Sequence, residues 1–366
     1  MNGPGTPGSA PADPPARGEG AVPRPANPWR AFLGAVLLNA LLAFPLLYQS
    51  YKHYDAGLTP WDVGAYMEMV ERPGDFEPPF RYRVLAPALV KAMRILPGYD
   101  IPVDFTDDPA VKRDYFHFSL LNFCITVLVS GLIFLYLGRS LEPAFAYLGS
   151  VLYLLSFYTV VTNLIPMGDT ACHLAIMGCI LLFEGGKPLA FALACLIGVF
   201  TKETLLIVLV PWILLGSLRH RARLRYLLWA SPAALAYAAA ARLFPAATEF
   251  NYYRPGFMLR RVAGAFLPST WDASLVFHVF AAQAPLLPAL AAYAWMKRFR
   301  GPRGLAVNKE LILYPFLIWL GITMDIGNST GRVAFMAFPA IIGFEAMVAQ
   351  AWVTGRAPAG RSLPRA

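Results

Sequence analysis

Several places in this chain set ionisable side chains where they can do chemistry. Asp62-Val-Gly-Ala-Tyr66 spaces a carboxylate and a phenol four residues apart, so that a helix carries both on one face. A carboxylate held there can take the proton from a hydroxyl. Its structural alternative is to sit in a first helical turn and complement the helix dipole. Arg81 and Arg83, in Pro-Pro-Phe-Arg-Tyr-Arg-Val-Leu-Ala-Pro, flank a proline-bounded helix start. Arginine forks match phosphate oxygens two at a time; pairing with lipid headgroups or loop carboxylates is the plainer use. Asp169 follows Pro-Met-Gly and opens an apolar segment, as a helix cap, a site carboxylate or both. Lys202-Glu203 interrupts an apolar run. The two residues either pair with each other or mark a broken helix lining a cavity at membrane depth. Arg332 follows the polar turn Asp-Ile-Gly-Asn-Ser-Thr-Gly, in which Asp325 is its structural partner.

The rest of the chain is mostly apolar. Its 366 residues are 57% hydrophobic and 14% charged, against about 25% charged in soluble domains. Apolar runs long enough to span recur throughout, which predicts an all-α, polytopic integral membrane protein. The short alternating segments of a β-barrel are absent. The formal charge of +9 reads as membrane orientation rather than nucleic-acid binding. Cys124, Cys172, Cys179 and Cys195 all fall in apolar segments and read as buried small hydrophobes without disulfides. The five histidines are scattered without ligand spacing. There is no P-loop, G-x-G-x-x-G, H-E-x-x-H or G-x-S-x-G. That excludes the motif-bearing forms of a nucleotide-driven pump, a zinc protease and a serine hydrolase.

These residues need helices to position them. Residues 1–28, rich in Pro, Gly and Ala, predict a disordered cytoplasmic tail. Residues 29–352 form the membrane domain and 353–366 a second tail. Trp29 to Tyr48 is the first span. Residues 51–114 form a charged loop with two surface helices, Pro60 to Glu71 and Tyr82 to Leu96, the second placing Lys91 and Arg94 on its polar side. Tyr115 to Leu137 and Phe145 to Val161 span next, then a segment from Asp169 to near Phe183. Leu189 to Val210 splits at Lys202-Glu203 into two short helices. Leu227 to Phe244 spans again, followed by a loop at 245–272. Ala273 to Met296, Leu311 to Met324 and Val333 to Trp352 complete about ten spans.

Charge orients this layout. The basic runs Leu-Arg-His-Arg-Ala-Arg-Leu-Arg and Met-Lys-Arg-Phe-Arg-Gly-Pro-Arg fall on one side with both termini. Positive loops stay cytoplasmic. The 51–114 and 245–272 loops, Asp169, Lys202-Glu203 and the turn before Arg332 then converge on the periplasmic face of an inner membrane.

The order of these features resembles polytopic glycosyltransferases of the GT-C superfamily. The resemblance rests on an early acidic residue with surface helices in the first outer loop (Asp62 to Tyr66) and a second acid in a later loop (Asp169). It continues in a Lys-Glu pair opening a helix (Lys202-Glu203) and a late Arg before Phe-Pro (Arg332 to Pro339). The phrase Pro79 to Pro87 is similar to one in bacterial members. The start of the first loop lacks a paired Asp-Asp, and Asp107-Asp108 comes only near its end. A divalent cation thus stays open as a cofactor, with none assigned and no metal ligands named.

The resemblance implies an inverting transfer of a sugar from a polyprenyl-phosphate donor to a lipid or glycan acceptor. Asp62 would be the base and Asp169 would position acceptor or sugar. Arg81, Arg83, Lys202 and Arg332 would hold the phosphate, with Tyr66 and Glu203 in support. Two rivals stand beside it: a secondary transporter, which broken helices and intramembrane charge also suit, and a non-catalytic membrane component of glycopolymer assembly. No inverted repeat is visible in the sequence.

The charge asymmetry is tested by cysteine labelling of a variant lacking the native cysteines. Asp75→Cys should react with an impermeant maleimide from the periplasm, and Arg300→Cys only after the cytoplasmic side is opened. Cytoplasmic labelling at position 75 would invert the orientation.

Overall fold

A computed structural model describes residues 27–52, 62–72, 83–98, 106–163, 165–215, 220–243, 273–282, 284–300, 309–323 and 329–356. The described residues form helices and connecting turns, with no strand among them. Helices α1 (Pro28–Lys52), α2 (Asp62–Met69), α3 (Leu85–Met93) and α4 (Pro109–Leu137) come first. Then follow α5 (Pro143–Leu155), α6 (Phe157–Thr162), α7 (Asp169–Glu184), α8 (Pro188–Gly198), α9 (Thr204–Leu215) and α10 (His220–Leu243). The late helices are α11 (Ala273–Ala282), α12 (Leu286–Trp295), α13 (Leu313–Thr323), α14 (Ser329–Ala334) and α15 (Phe338–Thr354).

Among the described residues, three helical stretches are long and apolar enough to cross a membrane: Trp29–Tyr48, Pro109–Leu137 and Thr330–Thr354. Helices α5, α8 and α9 are apolar but shorter. At about 1.5 Å per residue, none of these three alone matches a hydrocarbon core of about 30 Å.

Several expected boundaries shift for local reasons. Helix α4 starts before Tyr115, because Asp108 caps it by accepting from the Ala110 N–H at 2.8 Å and Pro109 fills the first turn. The segment expected to run from Phe145 to Val161 breaks at Ser156, which takes an extended conformation. Its hydroxyl hydrogen-bonds to the Tyr153 carbonyl at 2.8 Å, an alternative to the helix ladder. The stretch from Ala273 to Met296 likewise divides into α11 and α12. The expected split of Leu189 to Val210 is present, with α8 ending at Gly198 and α9 beginning at Thr204. Cys124 departs from expectation: it is exposed on α4, while Cys172, Cys179 and Cys195 are buried and free.

The core is built around α4, which packs against α1, α3, α5 and α7. Gly131 lets α1 approach, since a side chain there would strike Val36 and Phe32 within 3 Å. Beside it Asn39 donates to the Ser130 hydroxyl at 2.9 Å, and Ser150 donates to the Ser130 carbonyl at 2.7 Å. Small residues with inter-helix hydrogen bonds are how helices associate where no water drives them together.

The first-loop helices are fastened to this core. Tyr66, Met69 and Val70 of the α2 region, Ala86 and Val90 of α3, and Phe118 of α4 bury one another. Arg94, at the end of α3, grips Asp114 of α4 through two hydrogen bonds and reaches Glu71 beyond α2 at 2.6 Å. The expected polar side of α3 is thus divided: Lys91 is exposed, whereas Arg94 turns inward.

The Arg94 grip generates a stability prediction. Asp114 is buried, so Arg94→Ala strands a charge and should cost roughly 3 kcal/mol, read as a lower unfolding temperature in detergent. The Arg94 hydrogen bond also holds the exposed Glu71 carboxyl below its ordinary 4.5. A carboxyl depressed in the fold stabilises above its unfolded value, and that share is lost as pH falls through the folded value. Acid should therefore loosen α2 before it loosens α4, and Glu71→Gln should abolish that difference in limited proteolysis.

Candidate functional site

The turn before α7 is positioned by α4. Asn122 sends its side-chain amide to the carbonyls of Ile165, at 2.5 Å, and Met167, at 3.2 Å. Val63 of α2 packs against Ile165 and Met167 from the other side. Gly168 lets Tyr66 approach closely, because a Cβ would lie 2.7 Å from the Tyr66 hydroxyl and one of the two would have to shift. The D-x-x-x-Y helix is thus seated on the Asp169 turn. Asp62 is the first residue of α2, though its side chain lies outside the described residues. Arg81 and Asp325 lie outside them altogether.

Asp169 does not cap its helix. The cap position is Gly168, and Asp169 is the first helical residue, 2% exposed. Its Oδ1 accepts from Lys202 Nζ, 3% exposed, across the gap between α7 and the α8–α9 break. Arg332 Nε stands 3.8 Å from Asp169 Oδ2, and Arg332 Nη1 lies 3.9 Å from Met167 Sδ.

Lys202 and Glu203 do not pair with each other. While Lys202 turns to Asp169, Glu203 takes Arg83 in a two-pronged bond, Nε to Oε2 at 3.1 Å and Nη2 to Oε1 at 2.5 Å. Adjacent residues in a tight turn thus hold two different elements. The turn is closed by Thr201, whose N–H and hydroxyl both reach the Gly198 carbonyl. Its Phe200 carbonyl accepts from the Leu85 N–H at 3.4 Å, which docks the start of α3. Gly198 brings α8 against α7 and α9, with Ala175 and Leu205 where a side chain would be.

The structure therefore gathers Arg83, Asp169, Lys202, Glu203 and Arg332, with Tyr66 at the margin. Sequence reasoning assigned Arg83 and Lys202 to phosphate; in the structure each is engaged by a carboxylate. Among these described residues, three cations stand with two carboxylates. Such a cluster can hold an anion by sharing its cations with the resident carboxylates.

A polar network below this cluster is not apparent from spacing rules. Asn163 donates to Tyr153 Oη at 2.9 Å and to His173 Nδ1 at 3.0 Å, and Thr170 donates to the Asn163 carbonyl at 2.9 Å. His173 packs against both Phe335 and Phe338, its ring centroid 5.3 and 4.8 Å from theirs. The one available signal was that His173 follows Asp169 by four residues, which places both on one face of α7. Among the described residues, no group of three or more His, Cys, Asp or Glu is placed to hold a metal ion.

The Asp169–Lys202 pair is tested by a double-mutant cycle. Lys202→Met alone leaves a buried carboxylate and should cost roughly 3–5 kcal/mol. Asp169→Asn combined with Lys202→Met should recover most of that loss, giving a large coupling term in thermal or denaturant unfolding. Additive losses would mean that the two side chains do not share one site.

No family model, curated protein or solved structure matches this chain.

Proposed function

We propose that the chain is an inner-membrane glycosyltransferase that moves a sugar from a polyprenyl-phosphate donor to a lipid or glycan acceptor at the periplasmic face. The observation that carries this reading is the buried charge cluster, in which Lys202 and Arg332 meet Asp169 while Arg83 meets Glu203, the neighbour of Lys202, although these residues lie far apart in sequence. Charge costs stability in or near a bilayer, so its concentration at one place favours a ligand of opposite sign.

In this reading about ten segments cross the membrane, α8 and α9 each crossing and meeting at Lys202-Glu203, and the cluster lies at the outer boundary. Arg83, Lys202 and Arg332 bind the donor phosphate and the negative charge that develops on it as the sugar departs. Asp62, at the first turn of α2, takes the proton from the acceptor hydroxyl on the opposite face of the sugar. Asp169 holds Lys202 and Arg332 in place and positions the acceptor or sugar. Tyr66 fixes α2 against the Asp169 turn, and Glu203 orients Arg83. The anomeric carbon gains the bond to the acceptor oxygen while it loses the bond to the phosphate oxygen, which keeps that electron pair.

A secondary transporter remains the second reading, supported by the interruption between α8 and α9 with charge at the break.

The test uses polyprenyl-phosphate sugars as donors with the protein in membranes. Asp62→Asn should lower transfer by about 10²- to 10⁴-fold while donor binding persists. Arg332→Gln should instead weaken donor binding, since it removes a cation without stranding a carboxylate that Lys202 already holds. Unchanged turnover in the inserted Asn variant would reject Asp62 as the base and move that role to Asp169.

A further inference from the structure

The last long helix carries a second buried carboxylate, away from the charged cluster. Glu345 lies in the middle of α15, within a stretch long and apolar enough to cross a membrane. It is 4% exposed, and neither carboxyl oxygen has a hydrogen-bond partner among the described residues. A buried polar atom in hydrocarbon surroundings is normally satisfied, because leaving it bare costs several kcal/mol. Seven residues separate Glu345 from Phe338, which returns it to nearly the same face of the helix, about 10 Å further along. It therefore continues the stripe that touches His173 but stands well beyond Asp169.

Its surroundings identify the ligand. Ile341, Ile342, Phe344 and Ala346 on either side are all buried. Gly149 of α5 faces Ile342 and Ala346, and Tyr293 of α12 meets Phe344 edge-on at 5.7 Å. The titratable groups on the elements packed against α15 are Tyr147 and Tyr153 on α5, Tyr293 on α12, and Lys309 and Glu310 ahead of α13. Tyr314 of α13 is the group in electrostatic contact with Glu345, and its hydroxyl donates to the Val279 carbonyl at 2.6 Å. Among the described residues, Glu345 forms no ion pair. A hard metal cation needs several oxygens around it, and this apolar setting supplies one carboxyl group. A proton needs that group alone.

We propose that Glu345 is a proton-binding site in the membrane interior, carried on α15 where it packs against α5 and α12, and separate from the Asp169 cluster. The carboxyl carries its proton at rest, because the described residues around it offer no counter-ion to its charged form. The site is independent of the glycosyltransferase reading.

A membrane-permeant carbodiimide tests this in the full chain, in detergent or liposomes. The carboxyl proton passes to one carbodiimide nitrogen as the carboxyl oxygen bonds to the central carbon. The resulting O-acylisourea rearranges to a stable N-acylurea, and nothing leaves. Dicyclohexylcarbodiimide should give an adduct that peptide mass spectrometry maps to Glu345. Its yield should fall as pH is raised, and Glu345→Gln should lack it. Should the Gln variant not insert, adduct mapping in the wild type and Glu345→Asp decides. Absence of the adduct at every pH, or a yield indifferent to pH, overturns the proposal. Protection by sodium chloride but not by choline chloride also overturns it, because a metal ion would then be the ligand.

Discussion

The Asp169–Lys202 contact constrains everything around it. Both side chains are almost fully buried, and neither charge is tolerable there without the other. To bring them together, α7 must begin at Asp169 and the helical run through α8 must stop before Lys202. The first requirement is met by the Ile-Pro-Met-Gly turn, which Asn122 holds through two carbonyls. The second is met at residues 199–203, where the Thr201 N–H and hydroxyl both close on the Gly198 carbonyl, at 2.9 and 2.6 Å, and leave the Lys202 N–H at 3.5 Å from it. The break then frees Glu203 to reach Arg83 while Lys202 points the other way. A single interruption fixes the entry of α3, the start of α7 and the approach of Arg332.

The first-loop helices depend on the same arrangement. Helix α2 is only eight residues long and α3 only nine. Neither would persist alone in water at that length. They are kept by Tyr66 against Gly168, by Arg83 on Glu203, by the Leu85 N–H on Phe200 and by Arg94 on Asp114. Three of these four fastenings attach directly to the Asp169 turn or to the break. A ligand that competes for Arg83 or Lys202 therefore also bears on how α2 and α3 sit.

Much of this architecture was legible in the sequence. A Lys-Glu pair inside an apolar run costs too much to leave in a continuous lipid-facing helix, so the α8–α9 break could be placed to within a few residues. The long apolar helices were equally plain from composition. What sequence did not reveal was partner choice. Lys202 and Glu203 are neighbours of opposite sign, and only three-dimensional packing sends one to Asp169 and the other to Arg83. The interruption at Ser156 was hidden because hydrophobicity runs straight through it and a serine hydroxyl gives no period. Asn122 and Asn163 were missed for a related reason: a buried amide in an apolar segment has no spacing rule, and its role depends on which carbonyl or ring it meets.

The sequence distances within the cluster have a consequence for biogenesis. Arg83 and Glu203 are 120 residues apart, and Arg332 meets Met167 across 165. A chain made from its N-terminus therefore exposes Arg83 long before its carboxylate has been synthesised, and Asp169 long before Arg332 arrives. Non-local contacts of this kind form late. Each nascent charge must stay hydrated until its partner emerges, and the polar centre closes only when the final long helix has docked. Truncation before that helix would leave Asp169 and Lys202 with one another but without the third charge, so the complete cluster is a property of the finished chain.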